Sequence, residues 1–386
     1  MSADPFGFDA LDLERVRARP GAKWHRHAPA LAAWVADMDF DPCPAVTTAL
    51  QRRLDLGAFG YPDWSSWHGG TDTQDVFVAR ALRRWGWSIP PDETWESSDV
   101  IQAVQTFLYL TTEPGDGIVL HTPCYPPLRH AIDSMGRRII EVPAVWADTG
   151  VEFDHGDLAD RLAHDPARML LLCHPHNPTG HVFTTDELHT LADIADRHDL
   201  LIVSDEIHAD LTFAAHTHVP MGKVAAHRAI SIHSASKAFN LAGLRYAISH
   251  IGPAWVRERL ATLPDHMLGA INVMGADAAA AAWSDGDDWL TAVMQHLDHN
   301  RHLLADLLDT HLPGVRYRPP EATYLAWLDC RALDLGDEPA AEFLRRGVAL
   351  SPGFDFGAAG AGCVRLNMAT SSAILERIVT TMAIRP

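Results

Sequence analysis

"RMLLLCHPHNPTGHVFTTDELHTLADIADRHDLLIVSDE", residues 168–206, decides the fold class. "RMLLLC" (168–173) is a short apolar run that ends in the turn-forming "HPHNPTG". "TTDELHTLADIADRHD" (184–199) opens on a threonine cap with early acids, and its apolar positions 188, 191, 194 and 195 fall at helical spacing. "LLIVSDE" (200–206) is a second buried-strand run. Strand, helix, strand at this rhythm predicts βαβ units and a mostly parallel sheet, hence an α/β protein with helices flanking the sheet. "GIVLHT" (117–122), "RRIIEVPA" (137–144) and "AISIHSAS" (229–236) extend the pattern on either side.

The last hundred residues differ in character. A helical stretch over about 285–309 is followed by the alternating "VRYRPPEATYLAWLDC", a helix near 338–347 and a strand in "CVRLNMA" (363–369). This predicts a large domain over 51–283 and a smaller α+β domain over 284–386, with residues 1–50 packing against the small one. The 386 residues suffice for both cores.

Composition bounds the partners. The net charge of −19 argues against nucleic acid or an anionic membrane. No apolar run reaches the roughly 18 residues of a membrane span. The N-terminus has acids and prolines where a signal peptide needs a basic start and an apolar core, so a cytoplasmic protein is expected. Five scattered cysteines without a C-x-x-C pair suit reduced thiols better than a disulfide frame or a zinc site.

Ligands of parallel sheets bind beyond the carboxyl ends of the strands. Asn177, Asp205 and Lys237 each fall at or just after such an end, so three polar side chains converge on one edge. In "HSASKAFNLAGLR" (233–245), Lys237 is flanked by Ser234 and Ser236 before a helix-competent stretch, with Arg245 eight positions on. A buried lysine that sheds its proton is a Schiff-base nucleophile, and hydroxyls, a helix start and an arginine suit a phosphate. Together they point to pyridoxal phosphate; a capped surface helix is the plain alternative. Asp205 would then pair with the pyridine nitrogen, since alternation turns the adjacent Glu206 away. His208 sits either beside the ring or in an ordinary polar loop. Asn177 is an amide donor to the ring oxygen or a simple turn residue. Tyr125, held between prolines, either stacks on the ring or packs on the core. "SSDVIQAV" (97–104) is a helix start capped by Asp99 whose first N–H groups face the phosphate. His174, His176 and His181 crowd one loop without a carboxylate or cysteine at metal-ligand spacing, so no metal site is expected. Arg365, in an apolar strand, needs a carboxylate, either a substrate's or an internal one.

"HPHNPTG", "VSDEIHADL" and "SASKAFNLAGLR", in this order, resemble the fold-type I, aspartate-aminotransferase-like pyridoxal phosphate enzymes. More narrowly, "WVADMDF" (34–40), "FGYPD" (59–63), "PGDGIVLHTPCYPPL" (114–128), "SKAFNLAGL" and "RLNMA" resemble the MalY/PatB-type carbon–sulfur lyases, often called cystathionine β-lyases, over nearly the whole chain. The resemblance implies a lyase that eliminates a thiol from an S-substituted cysteine, giving pyruvate and ammonia. Lys237 would link to the cofactor and move the α-proton; Asp205, Asn177 and Tyr125 would hold the ring. Val100, Ile101, Ser234, Ser236 and Arg245 would hold the phosphate. Arg365 would bind the substrate carboxylate, with Tyr324 and Asp37 near the entrance. The resemblance also implies a homodimer in which Tyr61 reaches the neighbouring subunit's site. An aminotransferase is the alternative reaction, and a pyridoxal-phosphate-binding regulatory protein the alternative class. Two positions depart from the subgroup: Arg245 fits the aminotransferase pattern, and Asp99 stands where glycine is frequent.

Overall fold

Alternation along the apolar runs gives the main sheet two dry faces. The computed structural model describes residues 4–61, 72–147, 150–264 and 266–384. In it Met169 and Leu171 join Ile118, Leu120 and Val203 in one buried cluster, while Leu170 and Leu172 join Val119, Ile140 and Ile202 in another. A strand buried on both faces belongs inside a sheet covered by helices on each side.

The strands in chain order are β1 (Leu31–Ala32), β2 (Thr94–Ser97), β3 (Gly117–Thr122), β4 (Arg138–Trp146), β5 (Val151–Phe153), β6 (Ala167–Cys173), β7 (Leu201–Asp205), β8 (Ala229–His233), β9 (Ala247–Ile251), β10 (Leu325–Asp329), β11 (Val348–Ala349), β12 (Ser351–Pro352) and β13 (Cys363–Asn367). The main sheet runs β2-β9-β8-β7-β6-β3-β4-β5. Its middle, from β4 to β8, is parallel, and β9, β2 and β5 are added by antiparallel pairing. The mixed α/β architecture read from the sequence is therefore present. Strand order reverses between β3 and β6, and a crevice opens at such a switch point. Tyr125 follows β3, Asn177 follows β6, Asp205 ends β7 and Lys237 follows β8.

A second sheet, β10-β13-β12, carries Arg365 on its central strand. The N-terminal strand β1 pairs in parallel with β11, Leu31 opposite Val348. Among the described residues no helix is long and apolar enough to cross a membrane.

The helix read at 184–199 is Thr185–Arg197, with Thr184 and Glu187 forming a reciprocal capping box. The helical stretch expected over about 285–309 is Asp287–His311, and a separate helix, Val273–Asp285, precedes it. Gly286 lies at the joint, where a Cβ would come within 2.5 Å of Ala282 O and Phe239 Cε1. The helix-competent "AFNLAGL" does not form an α-helix. Its only helical piece is a 3-10 turn at Ala242–Leu244. Asn240 adopts a left-handed φ of 57°, and its side chain accepts from Met38 N at 2.9 Å and donates to Met38 O at 3.0 Å. That tertiary bridge outweighs the local helix preference, so Ser234 and Ser236 precede no helix N-terminus.

One buried ion pair fixes the backbone just after β7. Arg80, fully buried on the helix Thr73–Trp85, donates to Asp210 Oδ1 at 2.9 Å, to Asp287 Oδ1 at 2.9 Å and to Trp283 O at 3.1 Å. Burial opposes ionisation of Asp210, but the Arg80 guanidinium overrides it and holds the carboxyl below its usual range. Arg80→Met should therefore cost about 3 kcal/mol, because it leaves the buried Asp210 carboxylate only the exposed Arg84, 3.6 Å away, among the described residues. Its stabilising contribution is present above the ordinary carboxylate pKa and is lost as pH falls through the lowered one. Urea unfolding midpoints of both proteins at neutral and acid pH measure this; equal midpoints at neutral pH would refute it.

Candidate active site

At the carboxyl edge of the main sheet a narrow cavity of about 130 Å³ is lined by Val100, Ile101, Tyr125, Asn177, Asp205, His208, Ser236, Lys237 and Arg245. It meets a wider cavity of about 590 Å³ at Ala36, Tyr125 and Lys237, and Arg365 lines the wider one.

Lys237 is half-buried, and its Nζ donates to Ala36 O at 2.9 Å. Among the described residues no acid comes within ion-pair distance of it. Burial lowers its pKa to about 8, against the pull of Asp37 and Asp205. Asp205 is buried more deeply. Burial raises its pKa to about 7, although one carboxylate oxygen accepts from Ile207 N at 3.1 Å. Glu206 turns to the opposite side, accepting from Ser231 Oγ at 2.7 Å, Met221 N at 2.9 Å and His218 Nε2 at 2.8 Å. His208 reaches the cavity wall with its Nδ1 buried and unbonded, and burial lowers its pKa to about 3.

Arg365 is 5% exposed, and no carboxylate pairs with it among the described residues. It donates to Asn177 Oδ1 at 3.1 Å, Trp34 O at 3.1 Å and Ser351 Oγ at 3.2 Å, while its Nε has no partner. The ring of Phe356 lies 4.9 Å below the guanidinium. Burial lowers its pKa to about 10. The internal-acid alternative for this arginine is thus removed.

Asp99 caps the helix Val100–Thr111 as expected, accepting from Gln102 N at 2.8 Å. Its other oxygen pairs with Arg245, so the two positions that depart from the lyase pattern neutralise each other. Arg245 adopts a left-handed φ of 56° to make this contact at the cavity wall.

Four expected residues stand off the walls. Ser234 donates to Tyr246 O at 2.6 Å and lies behind Ser236. Tyr324 is buried and donates to Ala36 O at 2.9 Å, the same carbonyl that holds Lys237. Asp37 acts on Lys237 by charge alone. Tyr61 is 89% exposed and lines neither cavity of its own chain. Pro62 and Asp63 of the same motif lie outside the described residues. Among the described residues no three His, Cys, Asp or Glu side chains could hold a metal ion. His174 bonds Val219 O, His176 bonds Thr179, and His181 sits between Glu187 and Glu321. The Ala36 and Trp34 carbonyls and Ser351 were not singled out from the sequence. The two carbonyls are backbone groups, which no residue type marks.

Residues 35–382 match the family model "Aminotransferase class I and II". The chain is 35% identical to the cystathionine beta-lyase PatB of Bacillus subtilis over 90% of each chain. It is 32% identical to a cystathionine beta-lyase of Corynebacterium glutamicum over 95% of this chain and 96% of that one. Among solved structures, the pyridoxal-phosphate-bound C-S lyase of Staphylococcus hominis superposes with a TM-score of 0.89 at 28% identity, covering 97% of both. With one family matched across both sheets and the cavities between them, this chain belongs to the aminotransferase class I and II family.

Proposed function

We propose that this protein is a pyridoxal-phosphate-dependent carbon–sulfur lyase of the cystathionine β-lyase type. The observation that carries the reading is the pairing, on one cavity wall, of a half-buried lysine and a buried aspartate that have no charged partners of their own among the described residues. The choice of elimination is supported by relatives named as cystathionine β-lyases and C-S lyases.

The cavity fits the cofactor on its own terms. A carboxyl raised to about 7 by burial gains most from a cationic pyridine nitrogen, and the unbonded His208 Nδ1 lies on the same wall. Asp205 would hold the ring nitrogen, Asn177 the ring oxygen, Tyr125 the ring face and Lys237 the aldehyde carbon. Val100, Ile101, Ser236 and Arg245 would hold the phosphate, where the N–H groups of the helix start favour its charge and Arg245 cancels the Asp99 carboxylate that would repel it.

Bound pyridoxal phosphate supplies an aldehyde for the substrate amine and a ring that accepts the electron pair released at the α-carbon. Arg365 takes the substrate α-carboxylate, a bidentate partner for a guanidinium that has none among the described residues. Lys237, neutral above its lowered pKa, removes the α-proton, and Asp205 balances the charge that builds beside it. The β carbon–sulfur bond breaks and the thiolate takes a proton from the Lys237 ammonium or from a tyrosine, Tyr61 of the neighbouring copy being a candidate. Water completes the conversion to pyruvate and ammonia.

The sequence feature that favoured an aminotransferase was Arg245, and its pairing with Asp99 explains its presence without a change of reaction. A homodimer with shared sites is supported by Tyr61 and by the neighbouring Leu56 and Phe59, which are 69% and 57% exposed. A cytoplasmic location is supported by five buried cysteines, none in a disulfide.

L-cystathionine should yield pyruvate without any added keto acid; pyruvate formation that requires one would transfer the protein to the aminotransferases. Lys237→Ala should lower turnover by about 10²–10⁴-fold or more while the fold is kept. Retention of wild-type turnover would remove the lysine from the reaction. Because burial sets the Lys237 amine at about 8, apoprotein mixed with pyridoxal phosphate should gain its visible absorbance faster as pH rises through that value and level off above it. A rate unchanged across that point would contradict an amine nucleophile.

A further inference from the structure

The main sheet has a second edge, where its parallel strands begin. A cavity of about 410 Å³ opens there. Arg168 lines it from the start of β6, Leu201 from the start of β7, and His227 and Arg228 from the residues that lead into β8. Trp255 and Arg259 reach it from the helix Ala254–Leu260, which follows β9. The five residues of β7, Leu201–Asp205, span about 13 Å between this cavity and the catalytic edge. No residue lines both this cavity and either of the catalytic ones.

Its charge runs against that of the chain. In a protein of net charge −19, three guanidiniums line this cavity together with a single carboxylate, Asp199. Arg228 is the anchored one. It pairs with Asp196, donates to Leu200 O at 2.8 Å and stands 3.6 Å from Asp199. Asp196 is shared with His227, whose Nε2 lies 2.8 Å from the same oxygen. Arg259 gives one N–H to Leu110 O at 2.9 Å and lies 5.2 Å from the centroid of the Trp255 ring. Arg168 is exposed, with no hydrogen bond or ion pair among the described residues. Three arginines around one hollow with too few acids attract an anion, and their planar forks match phosphate oxygens. Trp255, 43% exposed, adds a large ring beside them, and such a face accepts a planar ring by stacking. The acidic surface around the hollow repels a long polyanion, so the ligand is small. The volume lies within the usual range of small-molecule sites, about 300–1,000 Å³.

We propose that this cavity is a second ligand site, which takes a small phosphomonoester carrying a planar ring. Arg168, Arg228 and Arg259 bind the phosphate, and Trp255 stacks on the ring. The assignment does not depend on the carbon–sulfur lyase reading, because it uses none of the residues of that site.

Calorimetric titration of the holoenzyme tests it, with the phosphate cradle of the catalytic cavity already filled by cofactor. Adenosine 5′-monophosphate should bind about tenfold more tightly than ribose 5-phosphate, which lacks the ring, and than adenosine, which lacks the phosphate. Arg168→Gln and Arg259→Gln should each weaken the nucleotide about tenfold, with a smaller loss for Arg168→Lys. Trp255→Leu should weaken the nucleotide and leave ribose 5-phosphate unchanged. Arg168 holds no other part of the chain among the described residues, so its variants should keep the wild-type urea midpoint and test the site even if Trp255→Leu does not fold. Pyridoxine 5′-phosphate offers the same two features, and whichever of the two planar phosphomonoesters binds more tightly identifies the source of the ring. Failure of both to bind would overturn the assignment. So would ribose 5-phosphate binding as tightly as the nucleotide, or nucleotide affinity that is equal in wild type and in the Arg168→Gln and Arg259→Gln variants.

Discussion

A cation buried with no acid to meet it among the described residues is the constraint on which this site depends. Arg365 sits on the central strand of the small sheet at 5% exposure and is satisfied only by neutral oxygens: an amide, a hydroxyl and a backbone carbonyl. Each oxygen comes from a different part of the chain. Asn177 follows β6, Trp34 lies between β1 and the segment leading to Met38, and Ser351 begins β12. To hold this guanidinium the N-terminal segment, the main sheet and the small sheet must meet at one place. Lys237 meets the same problem differently, because its amine can release a proton and rest on the Ala36 carbonyl. A residue that cannot deprotonate and one that can thus lie side by side, and the first awaits an anion while the second is ready to act as a base.

Much of this was legible in the sequence because the signals were local. The apolar runs gave β3, β6, β7 and β8, and turn residues marked where each strand stops. Thr184 and Glu187 sit at the capping-box spacing and form one. Strand alternation separated Asp205 from Glu206, and the hydrogen bonds of Glu206 lie on the far side. The helix after Lys237 was misread because Asn240 is committed to Met38, 202 positions away, and a propensity window sees only its neighbours. The part of the wide cavity that Trp34 and Ala36 supply was not legible for a related reason. Trp34 and Ala36 act through carbonyls that every residue type possesses, so nothing in their side chains marks them.

Asp99 and Arg245 show how a departure from a family pattern can be read physically. Singly, an acid at the helix start would repel a phosphate, and an extra arginine would suggest a different reaction. Paired, they restore the charge at the cavity wall to neutrality while the carboxylate still caps its helix. The two positions lie 146 residues apart and carry one meaning.

The parallel pairing of β1 with β11 has a consequence for biosynthesis. Trp34 and Arg365, 331 positions apart, are among the early and late residues to leave the ribosome. At about 5–20 residues per second, the early half of the wide cavity waits on the order of tens of seconds for the late half. The main sheet between them can close first, since its parallel core ends at β8. Leu31 and the Trp34 carbonyl then stay without their native partners until β11 and β13 arrive.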